Sequence, residues 1–338
     1  MSKKRVALYF IIIAGLLLLF VCVSIGLGSV RIPPAQVLKI LLGDGVGEVE
    51  RNIIFNIRLP RALAAILLGG ALALSGYILQ TFFGNPVVGP FVLGISSGAK
   101  LTVALAMIAS LKLGKAMDLK TMILAAFAGS VLAMGFVLLI SLRVRSMSVL
   151  VVCGIMIGYI CSAITDFVVT FADDSDIVNL HNWSMGSLSG VKWDELRVIL
   201  VIILVCLLIS GFLVKPMSAY RLGEAYARSA GVNVILLRVM LIFVSCLLAA
   251  CVTAFAGPIS FVGIAIPHLV RSILKTDAPH IMIPAGFLGG ALVTLFCDAI
   301  ARTVFAPTEV SISSVTAVLL VPVVILMLIG RSRKRVEA

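Results

Sequence analysis

The residues whose types could do chemistry are few in this chain of 338 residues, and they lie far apart. Residues 94–100, Gly-Ile-Ser-Ser-Gly-Ala-Lys, resemble a phosphate-binding loop, but the spacing does not fit Gly-x4-Gly-Lys-Ser/Thr, and a leucine follows Lys100. The three histidines, at positions 181, 268 and 280, belong to no His-Glu-x-x-His or triad pattern. The sequence therefore predicts no catalytic residue, no bound metal and no ATP site, so the chain is not expected to be an enzyme.

Acidic residues within and between the apolar runs leave two open alternatives. A carboxylate such as Asp166 costs about 2.5–3.5 kcal/mol at the centre of a membrane helix. Asp166 therefore either carries protons or faces the helix bundle, water or the outer end of its span. The acidic stretch 173–195 does not have the spacing of a calcium loop, and its two tryptophans are typical of a membrane interface.

One polar, helix-capable stretch, residues 220–238, interrupts the apolar pattern. Glu224 and Arg228 stand four apart with the acid first, a spacing that supports a helical turn. Gly231 can adopt the left-handed conformation that ends a helix. Because the piece before Gly231 is too short to be stable alone in water, it must pack against the rest of the chain or against a partner.

The elements that position these residues follow from composition. With 61% hydrophobic and 12% charged residues and a mean hydropathy of +1.21, the chain is predicted to be a polytopic membrane protein. Because lipid cannot satisfy free backbone groups, the apolar runs must be helices, and we expect an all-α fold in one transmembrane domain, 1–338. Ten apolar runs are close to the length needed to cross a bilayer: 6–28, 62–83, 91–111, 121–142, 149–172, 196–214, 234–256, 259–274, 281–305 and 310–330.

Basic residues at the two ends predict the topology. Lys3, Lys4 and Arg5 precede the first run, which is long for a signal peptide and is interpreted as an uncleaved helix. With the basic tail 331–335, they place both termini in the cytoplasm. The net charge of +12 is scattered through loops and termini, which favours contact with anionic lipid and not with nucleic acid. The seven cysteines lie in apolar runs without a Cys-x-x-Cys pair and are interpreted as small apolar side chains.

Two breaks rich in glycine and proline, 84–94 and 256–264, each end one apolar run and open the next. They are five spans apart, so an inverted repeat of spans 2–5 and 7–10 is expected, which is typical of transporters; helix packing alone could require the same glycines. A stripe of small residues at 154, 158, 162 and 165 indicates either close helix packing or the lining of a pathway. Asp298 and Arg302, four apart, predict an ion pair within one helix.

These motifs, in order, resemble a known family. They are Arg58-Leu59-Pro60-Arg61, the segments 70–76, 85–99, 183–190, 227–232, 257–263 and 267–271, and Asp298-x3-Arg302. Together they are similar to the FecCD-type permeases, the transmembrane subunits of type II ATP-binding-cassette importers for iron siderophores, haem and vitamin B12. The resemblance covers nearly the whole chain.

The resemblance implies a ten-span permease that pairs with a second copy or a close paralogue. Two ABC ATPase subunits would bind ATP and Mg²⁺, and an extracytoplasmic binding protein would deliver a siderophore, haem or cobalamin. The permease would lie in the cytoplasmic membrane of a bacterium or archaeon. An ion-coupled secondary transporter, which also uses inverted repeats and could exploit Asp166, is the alternative; a structural scaffold is the weakest hypothesis.

The resemblance also implies roles for particular residues. Coupling to the ATPase is expected in 220–238 at Arg221, Glu224, Arg228 and Gly231. Docking of the binding protein is expected at Arg58, Arg61 and Arg302. The cytoplasmic gate is expected at Asn85, Val87, Ser146, Met147 and Ser148, and the pathway lining at Gly158, Ser162 and Thr165. The sequence departs from the family pattern in 307–316, where a proline and a glycine are missing, and at Ala230, where many relatives carry leucine.

Overall fold

A computed structural model describes residues 3–28, 32–33, 36–37, 39–40, 47–112, 117–144 and 146–336. In these ranges the regular structure is helical, as expected for an all-α fold. The helices are α1 (Lys3–Gly26), α2 (Glu48–Phe83), α3 (Ile95–Lys112), α4 (Leu119–Arg143), α5 (Met147–Val169), α6 (Asp174–Ser184), α7 (Trp193–Tyr220), α8 (Glu224–Ser229), α9 (Val234–Ala256), α10 (Val262–Leu274), α11 (Pro279–Thr303) and α12 (Ile312–Val336).

Seven of these helices, α1, α2, α4, α5, α7, α9 and α11, are long and apolar enough to cross a membrane. Three shorter apolar stretches, Ile95–Ser110, Val262–Leu274 and Ile312–Met327, coincide with the other expected spans. The ten runs found in the sequence are therefore all apolar helices, whereas the number of crossings stays a prediction. The side chains of the basic tail 331–335 lie outside those that the structure describes, and the orientation of the termini also stays a prediction.

The helix α2 forms the centre of the bundle. Its most apolar window is 83% buried, against 6% for α1, 11% for α5 and 22% for α7. These three helices therefore present broad apolar surfaces outward, where lipid or a second protein would cover them. Near its start, α2 includes a π-helical stretch, Ile53–Arg58, and it ends at Gly84, whose φ of 60° is left-handed.

The helix pairs show the symmetry expected of an inverted repeat of α2–α5 and α9–α12. Helix α2 packs against α11, as α9 packs against α4. Helix α3 contacts α4 and α5, as α10 contacts α11 and α12. Each helix of the first set therefore has a counterpart in the second with equivalent neighbours, which is the arrangement that the two breaks predict.

The two breaks also meet inside the bundle. A Cβ added to Gly89 would lie 2.7 Å from Cγ1 of Ile264, and one added to Gly263 would lie 3.2 Å from Cδ of Pro90 and 3.0 Å from the carbonyl oxygen of Leu72. Because Leu72 is near the middle of α2, helix α10 begins partway along the bundle and not at its surface. Gly263 thus allows close approach to the backbone of α2, and Gly89 leaves room for the side chain of Ile264, at the crossing of two discontinuous helices.

Candidate functional site

The end of the bundle that carries α8, called the loop end below, contains a network around Glu224. This carboxylate accepts a hydrogen bond from Nη2 of Arg228 at 2.6 Å and one from Nη2 of Arg238 in α9, also at 2.6 Å. The hydrogen bond from Arg228 holds the pKa of Glu224 below its usual range, and the nearby charge of Arg238 acts in the same direction. The helical Glu224–Arg228 pair predicted from spacing is confirmed. The contact of Glu224 with Arg238 in α9 was not predicted.

Two glycines bound α8. Gly223, before the helix, has a φ of 120°, and Gly231, after it, has a φ of 79°. The left-handed conformation predicted for Gly231 is therefore confirmed, and a Cβ at this position would meet no atom within 4 Å. The helix is a short outward-facing turn in which Ala227 is buried and Tyr226 is exposed.

A second carboxylate at the loop end, Asp277, was missed by reasoning from the sequence. It lies between α10 and α11 and accepts from Nη2 of Arg221 at 2.7 Å and from Nε of Arg271 at 2.8 Å. Its backbone carbonyl accepts from the hydroxyl of Tyr77 in α2 at 3.2 Å. The only signal in the sequence was a carboxylate in a short connection between apolar helices, and this does not identify its partners.

A groove of about 490 Å³ brings the expected coupling and gate segments together. Its lining includes Arg221 and Glu224 of the coupling stretch, Met147 at the start of α5, and Gly84 and Pro86 after α2. The flanking gate residues are on the surface: Asn85 accepts from the backbone N–H of Val87 at 3.0 Å, and Ser146 and Ser148 are exposed. The gate role stays a prediction, but both loops line the same groove.

The opposite end of the bundle, called the arginine end below, is organised around Asp298. This carboxylate is 1% exposed and forms ion pairs with Nη2 of Arg61 at 3.0 Å and with Nε of Arg302 at 3.3 Å. Arg61 also contacts Glu309 at 2.8 Å, and the Glu309 side chain is 45% exposed. The predicted Asp298–Arg302 pair is therefore confirmed as one part of a larger cluster.

The arginines expected to dock the binding protein are buried: Arg58 is 4% exposed, Arg61 7% and Arg302 6%. Arg58 donates to the carbonyl oxygen of Ile25 at 2.7 Å, and Arg302 donates to that of Ser24 at 2.7 Å. Both guanidinium groups thus satisfy carbonyls at the C-terminal end of α1, where a cation is favoured. Docking through these residues stays a prediction, and in this structure each of the three side chains donates hydrogen bonds within the chain.

The expected pathway lining on α5 lies mostly on its packed face. Gly158 and Thr165 are buried, and a Cβ on Gly158 would lie 3.5 Å from Cα of Gly94 at the start of α3. Ser162 is half-buried, whereas Asp166 is exposed on the open side. The small-residue stripe therefore allows close helix packing here, and its role as a lining stays a prediction.

The segment 307–316, where the sequence departs from the family pattern, leads from α11 into α12 and contacts the second break. The backbone N–H of Val310 donates to the carbonyl oxygen of Ala301 at 2.9 Å, and the hydroxyl of Ser313 donates to that of Pro258. One backbone and one side-chain hydrogen bond thus hold the turn before α12.

The described part of the chain contains no group of three or more His, Cys, Asp or Glu side chains that could hold a metal. Cys206, Cys246, Cys251 and Cys297 are buried in the helix packing, as expected for apolar fillers.

The similarity to known proteins extends over nearly the full length of the chain. A family model described as the FecCD transport family matches residues 16–330. The vitamin B12 import system permease protein BtuC of Klebsiella pneumoniae is 35% identical over 325 residues, covering 95% of this chain and 92% of that protein. The hemin transport system permease protein HmuU of Yersinia pestis is 31% identical over 320 residues, covering 94% of this chain and 96% of that protein.

Solved structures show the same fold. A metal-chelate type ABC transporter in an inward-facing conformation matches with a TM-score of 0.83 and 28% identity, over 96% of this chain and 99% of that one. PsaBC from Streptococcus pneumoniae, solved in complex with Fab, matches with a TM-score of 0.54 at 16% identity and is similar in fold alone.

Proposed function

The chain belongs to the FecCD transport family, and from that premise we propose that it is the permease subunit of an ATP-binding-cassette importer. It would receive an iron chelate, haem or cobalamin from an extracytoplasmic binding protein and release it into the cytoplasm by alternating access. The observation that carries the proposal is the likeness, over the whole length, to import permeases and to a metal-chelate ABC transporter. The resemblance identified in the sequence is thereby confirmed.

The geometry supports this role in a specific way. Two discontinuous helices cross inside the bundle at Gly89 and Gly263, which is the construction that transporters use where two repeats move against each other. The groove at the loop end is lined by residues of both gate segments and of the coupling stretch. A movement of α8 would therefore change the shape of the groove beside the gate segments.

The partners follow from what the chain does not supply. Its sequence has no phosphate-binding loop, so ATP and Mg²⁺ would be held by two separate ABC ATPase subunits and the chain itself would hold no cofactor. The open apolar face of α5 supports pairing with a second copy or a close paralogue. We place the assembly in the cytoplasmic membrane of a bacterium or archaeon, with both termini in the cytoplasm.

The cargo is proposed as a class. The relatives named above import vitamin B12 and hemin, and a ferric siderophore is the third member of the chelate class. Because the binding protein selects the chelate before the permease receives it, its retained ligand identifies the cargo. Equilibrium binding of a siderophore, haem and cobalamin to that protein would distinguish the three.

Reconstitution tests the function. The permease, its ATPase and its binding protein are placed in liposomes, and chelate uptake is measured with internal or external ATP and with an imposed proton gradient. We expect uptake that requires ATP on the ATPase side and is unchanged when the gradient is collapsed. Uptake that survives ATP depletion but stops with the gradient would instead support the ion-coupled alternative.

Binding-protein docking at the arginine end is tested separately. Arg61 reaches the surface through the half-exposed Glu309, so a carboxylate of the binding protein could replace Glu309 there. Reversing Arg58 and Arg61 to glutamate should weaken association in a salt-sensitive way, measured by surface binding at low and high ionic strength. Unfolding is measured in parallel because both side chains are buried, and unaltered affinity at low salt would contradict the assignment.

A further inference from the structure

We propose that Asp277 is a positioning residue that ties the coupling helix α8 to the gate segment after α2; this inference rests on the proposed function. The carboxylate joins the end of α7, through Arg221, to the last turn of α10, through Arg271. The carbonyl of the same residue accepts from Tyr77 in α2. One residue therefore contacts three separate helices at the end of the bundle where the gate lies.

The tie extends to α8 because Arg221 is close to Glu224 in the chain. Only Leu222 and Gly223 separate the two residues, and Gly223 has a φ of 120°. Glu224 is in turn fixed to α9 by Arg238 at 2.6 Å. Helix α8 is thus held on one side to α9 and on the other, through Asp277, to α2 and α10.

The lining of the groove shows which segments lie near Asp277 and would be affected if it moved. Asp277, Arg221 and Glu224 share its wall with Gly84, Pro86 and Met147. Tyr77 lies less than two turns before the end of α2 at Phe83, so a shift at Asp277 reaches the first gate segment through the body of a helix.

The charges explain why a carboxylate is needed. Asp277 is the acidic partner of both Arg221 and Arg271, whose side chains are 28% and 15% exposed. An amide at this position would leave the two guanidinium groups facing each other without a counter-charge. Arg221 would keep only its hydrogen bond to the Asp277 backbone carbonyl. We therefore expect the two guanidinium groups to separate, which would loosen the end of α7 from α10 while Glu224 still holds α8 on α9.

The assembled importer in proteoliposomes tests this role. For Asp277→Asn, we expect the chelate imported per ATP hydrolysed to fall about tenfold, the size of one lost coupling contact, while the ATPase still co-purifies. Asp277→Glu should restore most of the ratio. Asp194→Asn serves as the matched control, because Asp194 pairs with Arg197 at 3.3 Å on the exposed surface of the opposite end.

The outcomes separate the two proposals. If the natural protein shows no ATP-driven uptake, the proposed function is wrong. If it does, and Asp277→Asn has an unchanged ratio of uptake to hydrolysis, only the role of Asp277 is wrong. Should Asp277→Asn fail to assemble, Arg221→Gln removes both hydrogen bonds from Arg221 to Asp277, and Arg271→Gln removes the one from Arg271. Unchanged ratios in both variants would overturn the inference.

Discussion

Removing the charge of Asp298 should destabilise this protein more than any comparable change at a surface carboxylate. The side chain is 1% exposed and pairs with Arg61 at 3.0 Å and Arg302 at 3.3 Å. At an effective dielectric constant of about 20, each contact is worth roughly 5 kcal/mol before desolvation is subtracted. Asp298→Asn leaves the buried Arg302 without its carboxylate partner and leaves Arg61 with only the half-exposed Glu309.

The expected cost follows from what remains after the substitution. Loss of one partner from a buried ion pair costs about 3–5 kcal/mol, because the other charge stays buried. The asparagine oxygen can still accept one hydrogen bond, so we expect the lower end of that range. The free energy of unfolding is measured in mixed detergent micelles by titration with a denaturing detergent, monitored by circular dichroism.

Two matched variants turn this prediction into a series. Glu309→Gln removes a carboxylate that is 45% exposed beside Arg61, and Asp194→Asn removes one that is 88% exposed beside Arg197. Exposed pairs contribute about 0–1 kcal/mol, so the loss of stability should decrease in the order Asp298, Glu309, Asp194. Equal losses for Asp298→Asn and Asp194→Asn would refute the reasoning, because burial would then not set the cost.

Further predictions concern the loop end. Gly231→Trp should abolish ATPase co-purification without preventing membrane insertion. Gly231→Ala bears the same backbone cost of about 1–2 kcal/mol without the bulk and should retain part of the co-purification. Equal retention by both variants would contradict a steric role, and Gly211→Trp, at another open position, is the control. Because the pKa of Glu224 is lowered in the folded state, its contribution is present above the usual glutamate range and is lost as pH falls through the lowered value. The protection factors of the α8 amides, which correct for the intrinsic pH dependence of exchange, should therefore stay high at mildly acidic pH and fall only below the usual glutamate range. In Glu224→Gln they should be low throughout, and a fall already near neutral pH would contradict the assignment.

Local features of the sequence determined the fold class and part of the candidate site. Apolar run length and the exclusion of free backbone groups from lipid are sufficient for an all-helical membrane protein. The pair Glu224–Arg228 and the left-handed Gly231 depend only on residues a few positions apart, and both were predicted. The ordered motifs identified the family, which the comparison confirms.

Only the tertiary structure decided which distant charges meet. Arg61 and Asp298 are 237 positions apart, and Arg221 and Asp277 are 56 apart. Neither spacing nor composition relates them, because their proximity results from how α2 and α7 each pack against α11. The same packing buried the arginines expected on the surface and turned Gly158 toward α3. Hydrophobicity and backbone preference act locally, whereas burial and ion pairing depend on the arrangement of all the helices together.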